Sequence, residues 1–106
     1  MCGRDNNLRD DAEQPMKPYR DQKYLRWVKT LPSVISQRPS DDAHHLIGHG
    51  NGGMGTKVTD IWTFPLTRDE HTELHNMGWK AWEEIYGEQY KFVCETIHLA
   101  KLEGVL

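Results

Sequence analysis

Four of the six histidines in this 106-residue chain fall into two pairs, His44-His45 and His71/His75. His71 and His75 stand four residues apart, so on a helix they share one face about a turn from each other and can reach the same metal ion. His44 and His45 are adjacent. In an extended segment adjacent side chains point to opposite faces, so one imidazole can join the ion while the other stays free on the substrate side. Three histidines at about 2.0–2.1 Å leave an open position on a zinc-like ion. A fourth histidine, with an unperturbed pKa of about 6.5, suits proton abstraction from water at neutral pH. That set describes a metal-dependent hydrolase. Spacing alone leaves open which of His44 and His45 is ligand and which is base. Asp60 is a candidate to orient the base or approach the metal, or else an ordinary loop aspartate before a strand.

The elements that must position these residues can be read from hydrophobic period. Tyr24, Trp27, Val28 and Leu31 recur at helical spacing, predicting a helix over 20–31 with Asp21 as its cap and Pro32 as its end. Lys23, Arg26 and Lys29 lie off that stripe, either as a solvated face or as phosphate contacts. Ser33-Val34-Ile35-Ser36 reads as a short strand before a turn, and Ala43 to Ile47 as a second strand. Five glycines between Gly48 and Lys57 mark a loop. Its order, Gly55-Thr56-Lys57 with no helix after it, excludes a nucleotide-binding P-loop. Ile61 to Phe64 reads as a third strand stopped by Pro65. Thr67 and Glu70 form a capping box that opens the helix bearing His71 and His75. A short stripe of Trp79, Trp82 and Tyr86 ends at Gly87. A last helix, about 88–102, carries Tyr90, Val93, Cys94 and Ile97 at helical spacing, with Cys94 expected to be a buried small hydrophobe.

Composition bounds the rest. With 37% apolar residues and no long apolar run, the chain is expected to be soluble and cytoplasmic, with no signal segment and no membrane partner. Two cysteines, Cys2 and Cys94, do not make a disulfide framework. A net charge of −3 does not by itself announce nucleic acid. Residues 1–18 show no hydrophobic period and read as a flexible N-terminal tail, leaving 19–106 as one domain.

The stretches Asp42-Ala43-His44-His45-Leu46-Ile47-Gly48-His49-Gly50, Gly53-Met54-Gly55-Thr56-Lys57 and Phe64-Pro65-Leu66 through His75 resemble phage and prophage HNH nucleases of the recombination-enhancement (Ref) type, over about residues 19–100. The resemblance implies an α+β fold built on a ββα-metal (HNH, His-Me finger) core with flanking helices. It implies that His44, His71 and His75 bind a divalent metal ion (Mg2+ or Zn2+) and that His45 is the general base. Asp60 falls where the middle asparagine of the HNH name is expected. Many relatives carry a structural zinc knuckle, with cysteines where this chain has Ser33, Ser36 and Thr67 and a histidine where it has Glu70. Hydroxyls are poor zinc ligands, so no structural zinc is expected here. Core packing by Trp27, Trp62, Trp79 and Trp82, with the capping box, would hold the site instead.

The resulting expectation is an endonuclease that hydrolyses DNA phosphodiester bonds in phage-linked recombination or repair, inside a bacterial host cell. DNA would be its partner, in the company of a RecA filament, and no nucleotide cofactor would be needed. Lys57, Arg68, Arg38, Lys23 and Arg26 are the candidate phosphate contacts. Two readings compete. One is a catalytically inactive HNH-like module that docks on DNA or a recombination protein, and the other is a small helical protein with solvated histidines.

Overall fold

Asp21 opens the first helix by accepting a hydrogen bond from the Tyr24 amide at 3.0 Å. The computed structural model describes residues 19–50 and 58–106. The expected tail over 1–18, Cys2, most of the glycine-rich stretch and Lys57 lie outside the described residues. Helix α1 spans Gln22–Val28, shorter than its stripe predicted, and buries Tyr24 and Val28. Two turn bonds, Thr30 to Trp27 and Leu31 to Val28, then lead the chain into Pro32.

The strand expected at 33–36 is a turn. The Ser33 hydroxyl accepts the amides of Ile35 and Ser36, and the Gln37 amide bonds the Ser33 carbonyl. A serine that bonds its own following amides offers the backbone an alternative to a ladder. The isolated Pro32–Pro39 bridge closes this turn.

Strand β1 (Asp42–His45) pairs antiparallel with β2 (Thr63–Leu66), setting His44 opposite Phe64 and His45 opposite Thr63. Pro65 does not stop β2. It lies inside it, opposite Ala43. The Leu46 amide bonds the Trp62 carbonyl, so by alternation the Ala43–Pro65 pair is one that exchanges no ladder bonds, where the missing N–H costs nothing. The Pro65 carbonyl accepts the Val34 amide and ties the serine turn to the sheet.

Helix α2 (Arg68–Met77) follows at once, with the capping box present in both directions, and ends at Gly78. Helix α3 (Trp79–Tyr86) and helix α4 (Gln89–Leu102) complete the chain order. Gly78 and Gly87, at φ 91° and 110°, supply the two breaks. The fold is thus a small α+β arrangement of four helices and a two-stranded antiparallel sheet among the described residues. Leu46, Phe64, Leu66, Leu74, Trp82, Phe92 and Val93 form the main core, while Tyr24, Val28 and Ala100 form a smaller one. Trp82 is fully buried and Trp27 and Trp79 pack partly, but Trp62 is exposed and contributes less than expected.

Helix α4 is rotated relative to its predicted stripe. It buries Gln89, Phe92, Val93, Thr96 and Ala100, leaving Tyr90 and Cys94 exposed. Two polar residues on the inner face misled the apolar pattern. Both are hydrogen-bonded, Thr96 to the Phe92 carbonyl and Gln89 to several groups described below.

After β1 the chain turns at Gly48, with φ +80°, and the Trp79 ring lies against it: a Cβ there would stand 2.2 Å from the indole. No helix among the described residues is long and apolar enough to cross a membrane.

Candidate metal centre

Strand alternation separates the adjacent histidines. His44 turns inward and is 1% exposed, whereas the His45 side chain keeps about a third of its surface, 35%. One turn of helix brings His71 and His75 together, and β1 lies where His44 meets them. The ring centroids are 4.9 Å apart for His44–His71, 5.6 Å for His44–His75 and 4.8 Å for His71–His75. One nitrogen from each of these three rings lies within 4.8 Å of the others, a set that could hold a metal ion. His71 Nε2 and His75 Nε2 are already 3.1 Å apart, close to the spacing of two ligands on a tetrahedral ion with bonds of about 2.0–2.1 Å.

Further side chains aim these rings. Asp42, two residues before His44 on the same strand, accepts from His71 Nδ1 at 3.0 Å, which leaves His71 Nε2 facing the other rings. Arg68 grips Asp42 with two bonds, 2.8 and 3.0 Å. These bonds, Arg68 first, hold the Asp42 carboxyl below its usual range. His44 Nε2 lies 3.0 Å from Gln89 Oε1. His44 Nδ1 is buried and has no hydrogen-bond partner among the described residues. Burial pushes the pKa of His44 down to about 3, so its imidazole is neutral, the form that binds metal. Burial, and then the neighbouring His71, also lowers His75. A neutral His44 with a buried, unpartnered ring nitrogen, beside two further imidazoles, fits a divalent cation of the zinc type.

His45 belongs to a second, adjoining network. Its Nε2 donates to Asp60 Oδ1 at 2.8 Å. Asp60 also receives Arg20 Nη1 at 3.0 Å and the Asp21 amide at 2.8 Å. Burial would raise the Asp60 carboxyl, but the bonds from His45, Asp21 and Arg20 outweigh it, and the net shift is downward. An ionised Asp60 only accepts, so the Nε2 proton is held there and Nδ1 of a neutral His45 carries the lone pair. Asp60 thus backs His45 and is not a ligand of the three-histidine cluster.

The expected phosphate contacts fare unevenly. Arg68 is committed to Asp42, and Arg38 sits 3.8 Å from Glu70 while bonding the Ser36 hydroxyl. Lys23 and Arg26 are exposed on α1, and no described contact ties them to the histidines. The four positions Ser33, Ser36, Thr67 and Glu70 do converge. Glu70 Oε1 accepts the Ser33 hydroxyl at 2.5 Å and the Thr67 amide at 2.9 Å.

The sequence offers no role for Asp42, Gln89 or Glu83, and it groups Arg20 with the basic residues of the first helix, either a solvated face or phosphate contacts, whereas Arg20 bonds Asp60. For Asp42 a signal existed: position 42 shares a strand face with 44. Gln89 lies 45 residues from His44 with no spacing to reveal it.

A family model described as "Protein of unknown function (DUF968)" matches residues 13–104. "Uncharacterized protein YdfU" of Escherichia coli (strain K12) is 49% identical over 85 residues, which is 80% of this chain and 24% of that protein. The chain therefore spans about a quarter of the length of this curated relative. No solved structure matches.

Proposed function

The chain belongs to the DUF968 family, and from its own side chains we propose that it is a metal-dependent endonuclease of the HNH type, hydrolysing DNA phosphodiester bonds. The observation that carries this reading is the division of labour between neighbours: His44 converges with His71 and His75, while His45 is turned away and backed by Asp60. The order β1, β2, α2, with histidines on the first strand and the helix, supports this reading, since a ββα-metal core would have the same order. The resemblance to phage nucleases of the Ref type supports DNA as substrate, a setting in recombination or repair inside the bacterial cell, and a RecA filament as companion.

His44, His71 and His75 would hold a divalent cation, Zn2+ or Mg2+, whose chemistry is to polarise a phosphoryl oxygen and ease departure of the 3′ oxygen. His45 Nδ1 takes the proton from the attacking water. Asp60 holds the Nε2 proton and stabilises the imidazolium that forms, and Arg20 and the Asp21 amide keep Asp60 ionised and in place. Asp42 orients His71.

The test is plasmid nicking by the purified chain with Mg2+, Mn2+ or Zn2+, with and without a RecA filament. His45→Ala should keep stoichiometric metal uptake and lose nicking at least a hundredfold. His71→Ala should lose both. Full nicking by His45→Ala would remove His45 from the chemistry.

One observation favours a second reading, a non-catalytic module docking on a protein or on DNA. Arg20, Arg38 and Arg68 each lie beside a carboxylate, which leaves less positive charge for bare duplex. Metal uptake without cleavage in any of those conditions would select it.

A further inference from the structure

Gln89 opens helix α4 and is fully buried. Its amide can lie only one way round. The nitrogen donates to the Ile47 carbonyl at 2.8 Å and to Glu83 Oε2 at 3.1 Å, both pure acceptors. A flipped amide would set its oxygen against those two oxygens. Gln89 Oε1 therefore faces the Ile47 amide at 3.3 Å and His44 Nε2 at 3.0 Å. Glu83 fixes the clamp from outside, since its Oε2 also accepts the Gln89 backbone amide at 3.0 Å.

An amide oxygen only accepts, so His44 must carry its proton on Nε2. In a neutral ring the lone pair is then on Nδ1, the buried atom with no partner among the described residues. We propose that Gln89 is a positioning residue that locks His44 as the Nε2–H tautomer and so presents Nδ1 to the cation. The inference rests on the metal-dependent reading above and goes beyond it by assigning the ligating atoms. His44 binds through Nδ1, and His71, whose Nδ1 is taken by Asp42, binds through Nε2. Outer partners that fix a ligand's tautomer typically contribute ten- to a hundredfold in metal affinity.

The test uses the whole chain. In zinc-free protein, two-bond proton–nitrogen correlation spectra report the tautomer of His44, and competition with a chromophoric chelator reports zinc affinity. The wild type should show the Nε2–H form. Gln89→Met, of similar shape but with no acceptor, should mix the tautomers and weaken zinc binding about ten- to a hundredfold. In Gln89→Glu one oxygen still faces His44 Nε2, while the other meets the Ile47 carbonyl and Glu83 Oε2 and must carry a proton to donate to them; with that proton the variant should retain the Nε2–H form and bind zinc within about threefold of wild type. A purely structural role would lower the melting temperature of both variants and leave the affinity of the folded protein alone. A wild-type His44 protonated on Nδ1, or unchanged zinc affinity in folded Gln89→Met, overturns the proposal. Should Gln89→Met not fold, the wild-type tautomer and the affinity of Gln89→Glu decide it. Absence of zinc uptake by the wild type overturns the metal reading instead, and the tautomer measurement still judges the clamp.

Discussion

Helix α2 carries two polar clusters, and they are built in opposite ways. Around Glu70 the polar atoms answer one another. Oε1 accepts from Ser33 and from the Thr67 amide, Thr67 Oγ1 accepts the Glu70 amide, and Arg38 lies beside Oε2. One residue on, at His71, the pattern changes. His71 Nδ1 and His44 Nε2 are held by Asp42 and Gln89, but His71 Nε2 and His75 Nε2 face each other, and His44 Nδ1 has no partner among the described residues. Buried polar groups are almost always satisfied, so a saturated cluster speaks of folding and an undersatisfied one of something to be bound. The contrast also bears on the knuckle that the Ref-type resemblance implies for relatives. At those four positions this chain has hydroxyls and a carboxylate that bond to each other, a closed local set that needs no ion to be complete.

Acid should separate the two clusters with the largest effect. The pKa of His44 is lower in the folded chain, about 3 against an ordinary 6.5, so its contribution is complete above about pH 6.5 and is lost as pH falls towards 3. The loss would reach on the order of 4 kcal/mol. The Glu70 carboxyl is also lowered: burial would raise it, but Ser33, Ser36 and Thr67 outweigh that. Its contribution is complete above about 4.5 and fades only below that pH. Zinc-free protein, melted at stepped pH, should weaken first between 6.5 and 4.5, and replacing His44 by Gln should flatten that interval. An unchanged profile in the variant would show that the first loss comes from elsewhere.

Glu70→Ala comes next. It removes one half of the capping box of α2 and leaves the Ser33 hydroxyl and the Thr67 amide without their acceptor, at a cost of about 2–3 kcal/mol in denaturant titration. Zinc affinity of the folded variant should stay within about twofold, since the Glu70 carboxylate bonds Ser33 and Thr67 and none of the three clustered histidines. A large loss of affinity would mean that the clusters are coupled through the helix.

Arg68→Ala should have the smallest effect on stability. Its side chain is 69% exposed, so the pair with Asp42 is worth less than about 1 kcal/mol. Freeing Asp42 should nevertheless loosen His71, and calorimetric zinc affinity should fall about three- to tenfold. No change would place the aiming of His71 in Asp42 alone.

Much of this was legible in the residues. The i,i+4 histidines, the capping box and the strand-borne pair all follow local periods of 3.6 or 2, and each lies where its period puts it. Asp60 meeting His45 was one of the alternatives that the order of residues left open. What failed to show were features set by tertiary partners. The serine turn at 33–36 looked like a strand because its side-chain bonds have no hydrophobic signature. Pro65 looked like a stop because its pairing parity depends on β1. The buried face of α4 has no apolar signature at Gln89, which reads as a surface residue until its four side-chain bonds to His44, Ile47 and Glu83 are known.

Gly48 has a consequence for how such a site could change over time. It sits three residues beyond β1 with the Trp79 indole so close that even a methyl group there would overlap the ring. That contact joins the segment bearing the imidazoles to the helix that also supplies Glu83. Position 48 is therefore closed to drift: the smallest side chain would wedge the hairpin away from its support, and even a matching reduction at position 79 would leave it strained at a φ of +80°.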